Sequence, residues 1–178
     1  ERRYGVEKEV IVAIWGMESA FGGFRGSAPV FSTLATLAYE GRRRGLFEAE
    51  QLAALKILEA GHTSAAQMKG SYAGAMGHTQ FMPSTFHAHA QDFDGDGRRN
   101  IWSDDPVDAL ASTANYLRHH GWTTGQPWGM EVRLPDGFDY GLTGERIKRG
   151  AGFWNAQGVQ LADGGRVPDH GDASILLP

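Results

Sequence analysis

The stretch Asp105-Pro106-Val107-Asp108-Ala109-Leu110-Ala111-Ser112-Thr113-Ala114-Asn115-Tyr116-Leu117-Arg118-His119-His120-Gly121 is the best-delimited helix in the chain. Asp105 can cap its start, Pro106 suits a first helical position and Gly121 ends it. Val107, Leu110, Ala111, Ala114 and Leu117 form its apolar stripe. Tyr116 lies beside that stripe, where it either lines a cleft or covers the core.

Immediately upstream stands Asp92-Phe93-Asp94-Gly95-Asp96-Gly97-Arg98-Arg99-Asn100-Ile101. Acids at the first, third and fifth positions with glycine at the sixth make an EF-hand-like calcium loop. The twelfth position is Ser103 rather than the usual glutamate, so Asp104, Asp105 or Asp108 must close the site. Asp105 is wanted as the helix cap, which leaves Asp108, one turn into the helix, as the better choice. A lone loop of this kind is not a sensor, because sensors work as helix pairs that open.

Four further helical patterns precede the loop: Val6–Ser19, Phe31–Tyr39, Leu46–Ala60 ended by Gly61, and Pro83–Gln91. The third carries Leu52, Leu55 and Leu58 at steps of three, with Ile57 beside them, and these are expected to face the core. After Trp122 the character changes to prolines, turn signals such as Pro135-Asp136-Gly137 and short strand-like runs such as Met130–Leu134. The fold class expected is mainly α. A helical domain over 1–122 includes the EF-hand-like loop 92–108, and 123–178 forms a small β-containing appendage.

The composition bounds the function. The chain has 178 residues, long enough for a real core. Lys+Arg is 17 against Asp+Glu 21, so no nucleic-acid footprint is expected. The absence of cysteine removes disulfides and thiolate chemistry. No apolar run approaches the ~20 residues of a membrane span. The chain begins at Glu1 without a signal segment, so it is expected to be a processed or trimmed piece of something longer.

Glu18 is the first residue with chemical promise. It shares a helix face with Ile11, Ile14 and Trp15. Desolvation on that stripe and the negative end of the helix both favour a protonated carboxyl, the form a general acid needs. The bland alternative is a glutamate at a helix end reaching solvent. The segment Gly70-Ser71-Tyr72-Ala73-Gly74-Ala75-Met76-Gly77-His78-Thr79-Gln80-Phe81-Met82-Pro83 is the second. Its glycines permit close backbone approach, Ser71 and Gln80 offer hydrogen bonds, and Tyr72 and Phe81 offer flat faces. That mixture suits a sugar, though a tight structural loop would read the same way. Arg42-Arg43-Arg44 can grip an anion or sit as a solvated run. His87 with His89, and His119 with His120, lack the i, i+4 spacing of a helical zinc site.

Taken together these residues resemble the MltB-like lytic murein transglycosylases, glycoside hydrolase family 103. The resemblance rests on Gly16-Met17-Glu18-Ser19 with Gly22, Leu34-Ala35-Thr36-Leu37, the segment Gly70–Pro83, the loop Asp92–Asn100, Asp105-Pro106-Val107-Asp108, and Asn115-Tyr116 through Gly121-Trp122. It implies a lysozyme-like catalytic domain that cleaves the β-1,4 bond between MurNAc and GlcNAc of peptidoglycan and leaves a 1,6-anhydro ring. By the same resemblance Glu18 is the single acid/base, and Ser71, Gln80, Phe81, Tyr116, Arg43 and Arg44 line the cleft. Asp92, Asp94, Asp96, Arg98 through its carbonyl, and Asp108 hold a structural Ca2+. The implied setting is the bacterial periplasm, as a monomer acting on glycan strands, with membrane association only through a lipid anchor outside this chain, which would place it at the outer membrane. The resemblance also implies a further helical segment after Pro178, so the appendage is expected to be truncated. The alternatives are a lysozyme-type muramidase and a non-catalytic peptidoglycan-binding fragment. Between Glu18 and Asp92 the only acids are Glu40, Glu48, Glu50 and Glu59, and none lies in the Gly-rich segment. That scarcity fits a one-carboxylate mechanism better than the usual pair.

Overall fold

In the computed structural model, which describes residues 1–177, the helix delimited by Asp105 and Gly121 runs Val107–His119 (α5). Pro106 is its cap rather than its first residue: its carbonyl accepts from the Leu110 N–H at 2.9 Å. Asp105 accepts from the Val107 N–H at 3.1 Å, so it holds the entry from one residue further out. The helix is buried on more than one stripe. Ala109 joins a core with Val30, Leu34, Ile57, Met68, Met76 and Phe86. Ala111 and Ala114 join a second with Tyr4, Val6 and Ile11.

The other helices are Lys8–Ser19 (α1), Val30–Glu40 (α2), Arg44–Glu59 (α3) and Pro83–His89 (α4). α1 starts two residues later than its sequence pattern, because Val6 is spent on the second core as part of the lead-in. α2 packs on α3, α3 on α4, and α1 on α5. α4 opens with Pro83, and the buried Glu50 of α3 receives the next residue: Ser84 N–H at 2.8 Å and Ser84 Oγ–H at 2.6 Å. A carboxylate at a helix start meets unpaired N–H groups and the positive end of the dipole.

That bond explains a departure from the sequence reading. The buried face of α3 is Glu50, Ala54 and Ile57, while Leu52 and Leu55 are exposed and Leu58 is half-buried. Drawing Glu50 inward to α4 turns the leucine stripe outward. Apolar spacing alone could not foresee that a glutamate would outrank three leucines for the interior.

Two short strands, Ala28–Pro29 (β1) and Lys69–Gly70 (β2), pair antiparallel with Ala28 opposite Gly70. They bring the segment after α1 alongside the start of the Gly-rich loop. A side chain on Gly26 would sit 2.1 Å from the Gly70 carbonyl oxygen, so glycine is needed for this approach.

Residues 1–124 form one compact unit and those from Gly125 on a second. In the second, Val132–Arg133 (β3) pairs with Gln160–Leu161 (β4), and Ala151–Ala156 (α6) lies between them in sequence. Only two residues of the Met130–Leu134 run form strand. Its core is Phe138, Trp154, Val159 and Ile175, and the Trp154 indole donates to the Ala173 carbonyl at 2.9 Å. Among the described residues no helix is long and apolar enough to cross a membrane.

Candidate active site

α1 ends in a turn that only an unusual backbone can make. Ala20 (φ 48), Phe21 (φ 57) and Gly22 (φ 85) are all left-handed. Two non-glycine residues in that region store strain, which persists only where surrounding contacts hold it. Here the contacts come from Ser19 and His78. Ser19 Oγ donates to the His78 carbonyl at 2.6 Å and accepts from the Gly22 N–H at 3.0 Å. Trp15 Nε1 donates to His78 Nδ1 at 3.0 Å. A side chain on Gly22 would come within 2.5 Å of the His78 ring.

Glu18 sits on this turn and is exposed, not desolvated by the stripe it shares with Ile11, Ile14 and Trp15. Those residues pack away while the helix end lifts the carboxylate into solvent. Among the described residues its side chain has no hydrogen-bond or ion-pair partner, which leaves both oxygens available to a ligand. Met17, Phe21 and Phe24 near it in sequence, and Tyr72 in the Gly-rich loop, are exposed apolar side chains.

The loop 70–83 is a tight, internally bonded structure. Met76 and Phe81 exchange both backbone hydrogen bonds, at 2.8 and 2.9 Å. Ser71 Oγ accepts from Ala73 N–H and Ala75 N–H, so its hydroxyl proton remains to be donated outward. Gln80, left-handed at φ 53, donates through Nε2 to the Arg25 and Gly77 carbonyls, so its Oε1 remains as an acceptor. One free donor and one free acceptor match an amide or a pair of sugar hydroxyls.

Phe81 is placed in the core, 6% exposed, with its ring 5.9 Å from that of Tyr116. Tyr72, not Phe81, is the loop's exposed flat face, at 86%. Tyr116 is half-buried and stacks on His120 at 4.1 Å. Arg43 and Arg44 are exposed at the start of α3, and among the described residues neither guanidinium has a hydrogen-bond or ion-pair partner. Of the four acids between Glu18 and Asp92, Glu50 is committed to Ser84, Glu40 ends α2, and Glu48 and Glu59 are exposed on α3.

The acidic loop leads back to the same place. Carboxylate oxygens of Asp92, Asp94 and Asp96 lie within 4.8 Å of one another. Asp108 is buried and uses both oxygens on the loop's ends, accepting from Phe93 N–H at 2.8 Å and Asn100 N–H at 2.7 Å. The Asp96 backbone N–H lowers the Asp94 pKa, but desolvation and the charges of Asp108, Asp96 and Asp92 outweigh it and the net shift is upward. Asn100 Oδ1 accepts from Trp102 N–H and Ser103 N–H, and the Ser103 carbonyl accepts from His78 Nε2 at 2.7 Å. Arg25 donates to the Trp102 and Ser103 carbonyls and pairs with Asp104 at 2.9 Å. A hydrogen-bonded chain therefore runs from Asp108 through Asn100, Ser103 and His78 to the turn that carries Glu18.

His78 and Arg25 were not singled out by the sequence reading. No periodicity marks them, because their side-chain partners lie 25 to 79 residues away in the chain.

The family described as Transglycosylase SLT domain matches residues 1–178. Membrane-bound lytic murein transglycosylase B of Escherichia coli K12 is 42% identical over 141 residues, covering 76% of this chain and 38% of that protein. SltB3 from Pseudomonas aeruginosa, solved in complex with NAG-NAM-pentapeptide, superposes with a TM-score of 0.92 at 55% identity, over 99% of this chain and 48% of that one. The E. coli lytic transglycosylase Slt35, solved in complex with calcium, gives 0.85 at 36% identity, over 98% and 55%. The chain thus spans about half the length of the solved relatives and less of the curated one. The helical body, the Glu18 turn facing a glycine-rich loop and the match along the whole chain lead to one assignment: this chain belongs to the transglycosylase SLT domain family.

Proposed function

We propose that this chain is the catalytic part of a lytic transglycosylase that cleaves the β-1,4 MurNAc–GlcNAc bond of peptidoglycan, with Glu18 as its only acid/base. The observation that carries the reading is Glu18 itself, an exposed carboxylate at the end of α1 with no hydrogen-bond or ion-pair partner among the described residues, and no second carboxylate in the Gly-rich loop. A sugar bound there excludes water from the reacting bond. Glu18 then protonates the glycosidic oxygen as the bond to MurNAc C1 breaks. The substrate's 2-acetamido oxygen stabilises the positive charge on C1. Glu18, now a base, takes the proton of the MurNAc C6 hydroxyl, and that oxygen bonds to C1. The proton returns to the carboxylate and no water is consumed.

Ser71 and Gln80 orient the substrate through their free donor and acceptor, Tyr116 offers a ring face, and Arg43 and Arg44 supply positive charge along the cleft. Phe81 acts from below by supporting Tyr116. The catalytic domain is residues 1–122, with 123–178 an appendage. The gathered oxygens of Asp92, Asp94 and Asp96 and the raised Asp94 suit a divalent cation that relieves their repulsion. Calcium would be held there with the Arg98 carbonyl and Asp108, and its contribution is structural. The setting is the bacterial periplasm, the partner is the glycan strand, and the chain acts as a monomer.

The test is mass spectrometry of products from purified peptidoglycan, with the parent and with Glu18→Gln. Products ending in 1,6-anhydroMurNAc, reduced roughly 10²–10⁴-fold in the variant, are expected. Reducing ends heavier by one water indicate a muramidase. Binding without release of product indicates a binding fragment.

A further inference from the structure

Tyr116 is bordered by three other rings. Phe81 lies 5.9 Å from it at 53°, His89 meets it edge-on at 5.1 Å and 81°, and His120 stacks on it at 4.1 Å and 28°. Phe81 and His89 are buried and fixed by the core around them. His120 follows the last residue of α5 and is exposed, and an exposed side chain ordinarily changes rotamer freely.

Here the His120 ring is pinned. The Tyr116 carbonyl accepts the His120 backbone N–H at 3.0 Å and lies 2.8 Å from His120 Nδ1. A carbonyl can only accept, so the ring proton is on Nδ1, and its two lone pairs serve both bonds. A histidine at a helix C-terminus commonly bonds one of the last carbonyls in this way. The spacing of four then sets its ring over Tyr116 on one face of the helix. We propose that His120 is a positioning residue for glycan binding: pinned to the Tyr116 carbonyl, its ring covers one face of Tyr116 and holds that side chain in the orientation that meets the sugar. The inference rests on the reading of Tyr116 as a cleft residue.

Stacked rings attract beyond the area they bury. A tyrosine held before the sugar arrives has less rotamer freedom to lose on binding. Histidine supplies both parts of the device. Phenylalanine would offer the ring face without the donor, and asparagine a donor without the face. The Tyr116 hydroxyl has no hydrogen-bond partner among the described residues, so the ring is held while its polar tip stays available to a sugar hydroxyl. A group positioned this way serves substrate and transition state alike, so it lowers KM and leaves kcat as it is. His119 is the natural control. Its ring lies 4.9 Å from His89 and 5.6 Å from His120, and among the described residues it makes no ring contact with Tyr116.

The test is cleavage kinetics of the whole chain on a soluble GlcNAc–MurNAc tetrasaccharide, with Kd measured calorimetrically in the Glu18→Gln background so that binding is read without turnover. His120→Ala should raise KM and Kd roughly 2–10-fold, the worth of one ring pair, with kcat unchanged. His120→Phe should recover most of that loss and His120→Asn little of it. His119→Ala should match the parent. Tyr116→Ala should weaken binding at least as much as His120→Ala, and combining the two should cost nothing more, because His120 acts through Tyr116. Because His120 is exposed, circular dichroism of His120→Ala should match the parent. The proposal fails if His120→Ala binds as the parent does or loses kcat alone, if His120→Phe is no better than His120→Asn, if the two alanine substitutions add, or if the parent does not bind the tetrasaccharide. The expected Kd changes without any cleavage would sink the transglycosylase reading and leave His120 in its role. Cleavage with a KM indifferent to Tyr116→Ala would overturn the role of His120 and leave the Glu18 chemistry standing.

Discussion

Trp15 donates its indole N–H to His78 Nδ1 at 3.0 Å, three residues before Glu18 on the same helix. The bond needs an unprotonated Nδ1. The Ser103 carbonyl, 2.7 Å from Nε2, needs a proton there. One neutral tautomer meets both demands. A second proton would set the His78 N–H against the Trp15 N–H and loosen the turn that carries Glu18.

Stability should therefore fall in mild acid. Burial is the largest influence on His78 and lowers its pKa below the ordinary 6.5; the Ser103 carbonyl raises it and the Arg25 charge lowers it. The folded ring stays neutral while the unfolded one takes a proton, so the unfolded state binds more protons below pH 6.5. Stability is lost as pH drops through that value and levels off once the folded ring titrates too. His62 and His89 shift the same way, each mainly through burial. Urea melts at pH 7.5 and pH 5.5, about one unit either side of ordinary histidine titration, measure the loss. His78→Asn keeps an acceptor for Trp15 and should show a smaller loss; an equal loss would remove His78 from the account.

Gly22→Ala should destabilise the helical unit by about 1–3 kcal/mol and lower glycan cleavage. The new methyl would meet the His78 ring at 2.5 Å on a backbone at φ +85. Gly121→Ala is the control, since φ is +87 but nothing lies within 4 Å. Equal losses in the two variants would mean that the close approach to His78 carries no weight.

Calcium at a hundredfold excess over its Kd should add about 2.7 kcal/mol and raise Tm by roughly 5–10 °C. Asp92→Ala and Asp96→Ala should abolish the gain. Because Asp108, Asn100 and Ser103 connect the loop to His78, calcium should also raise cleavage activity. Coincident melting curves with calcium and with chelator would show an acidic turn without an ion.

The cleft should prefer N-acetylated over de-N-acetylated glycan strands by roughly 10²-fold or more in kcat/KM. Ser71 and Gln80 lose a matching group, and the charge on C1 loses its neighbouring acetamido oxygen. Comparable turnover of the two substrates would return attention to Glu40, Glu48 and Glu59 as a second carboxylate, Glu50 being held by Ser84.

Helix positions were legible in the sequence because their boundary signals are set within a few residues, although the α5 cap fell one residue later, on Pro106 instead of Asp105. Asp105, Pro106 and Gly121 bound α5 to within two residues, and Pro83 opens α4 as its ring geometry requires. The acidic loop was legible for the same reason, since its ligand-type residues alternate over a single turn of chain. What tertiary structure alone decided was which groups meet. The leucines of α3 were given to solvent because Glu50 found Ser84. Glu18 came to the surface although its helical neighbours pack inward. His78 became the joint between α1 and the acidic loop, and His89 was set beside His119 and His120 across two helices. Periodicity reports which side of an element is apolar; hydrogen bonds between residues far apart in sequence decide where that element's polar groups go, and no local pattern encodes them.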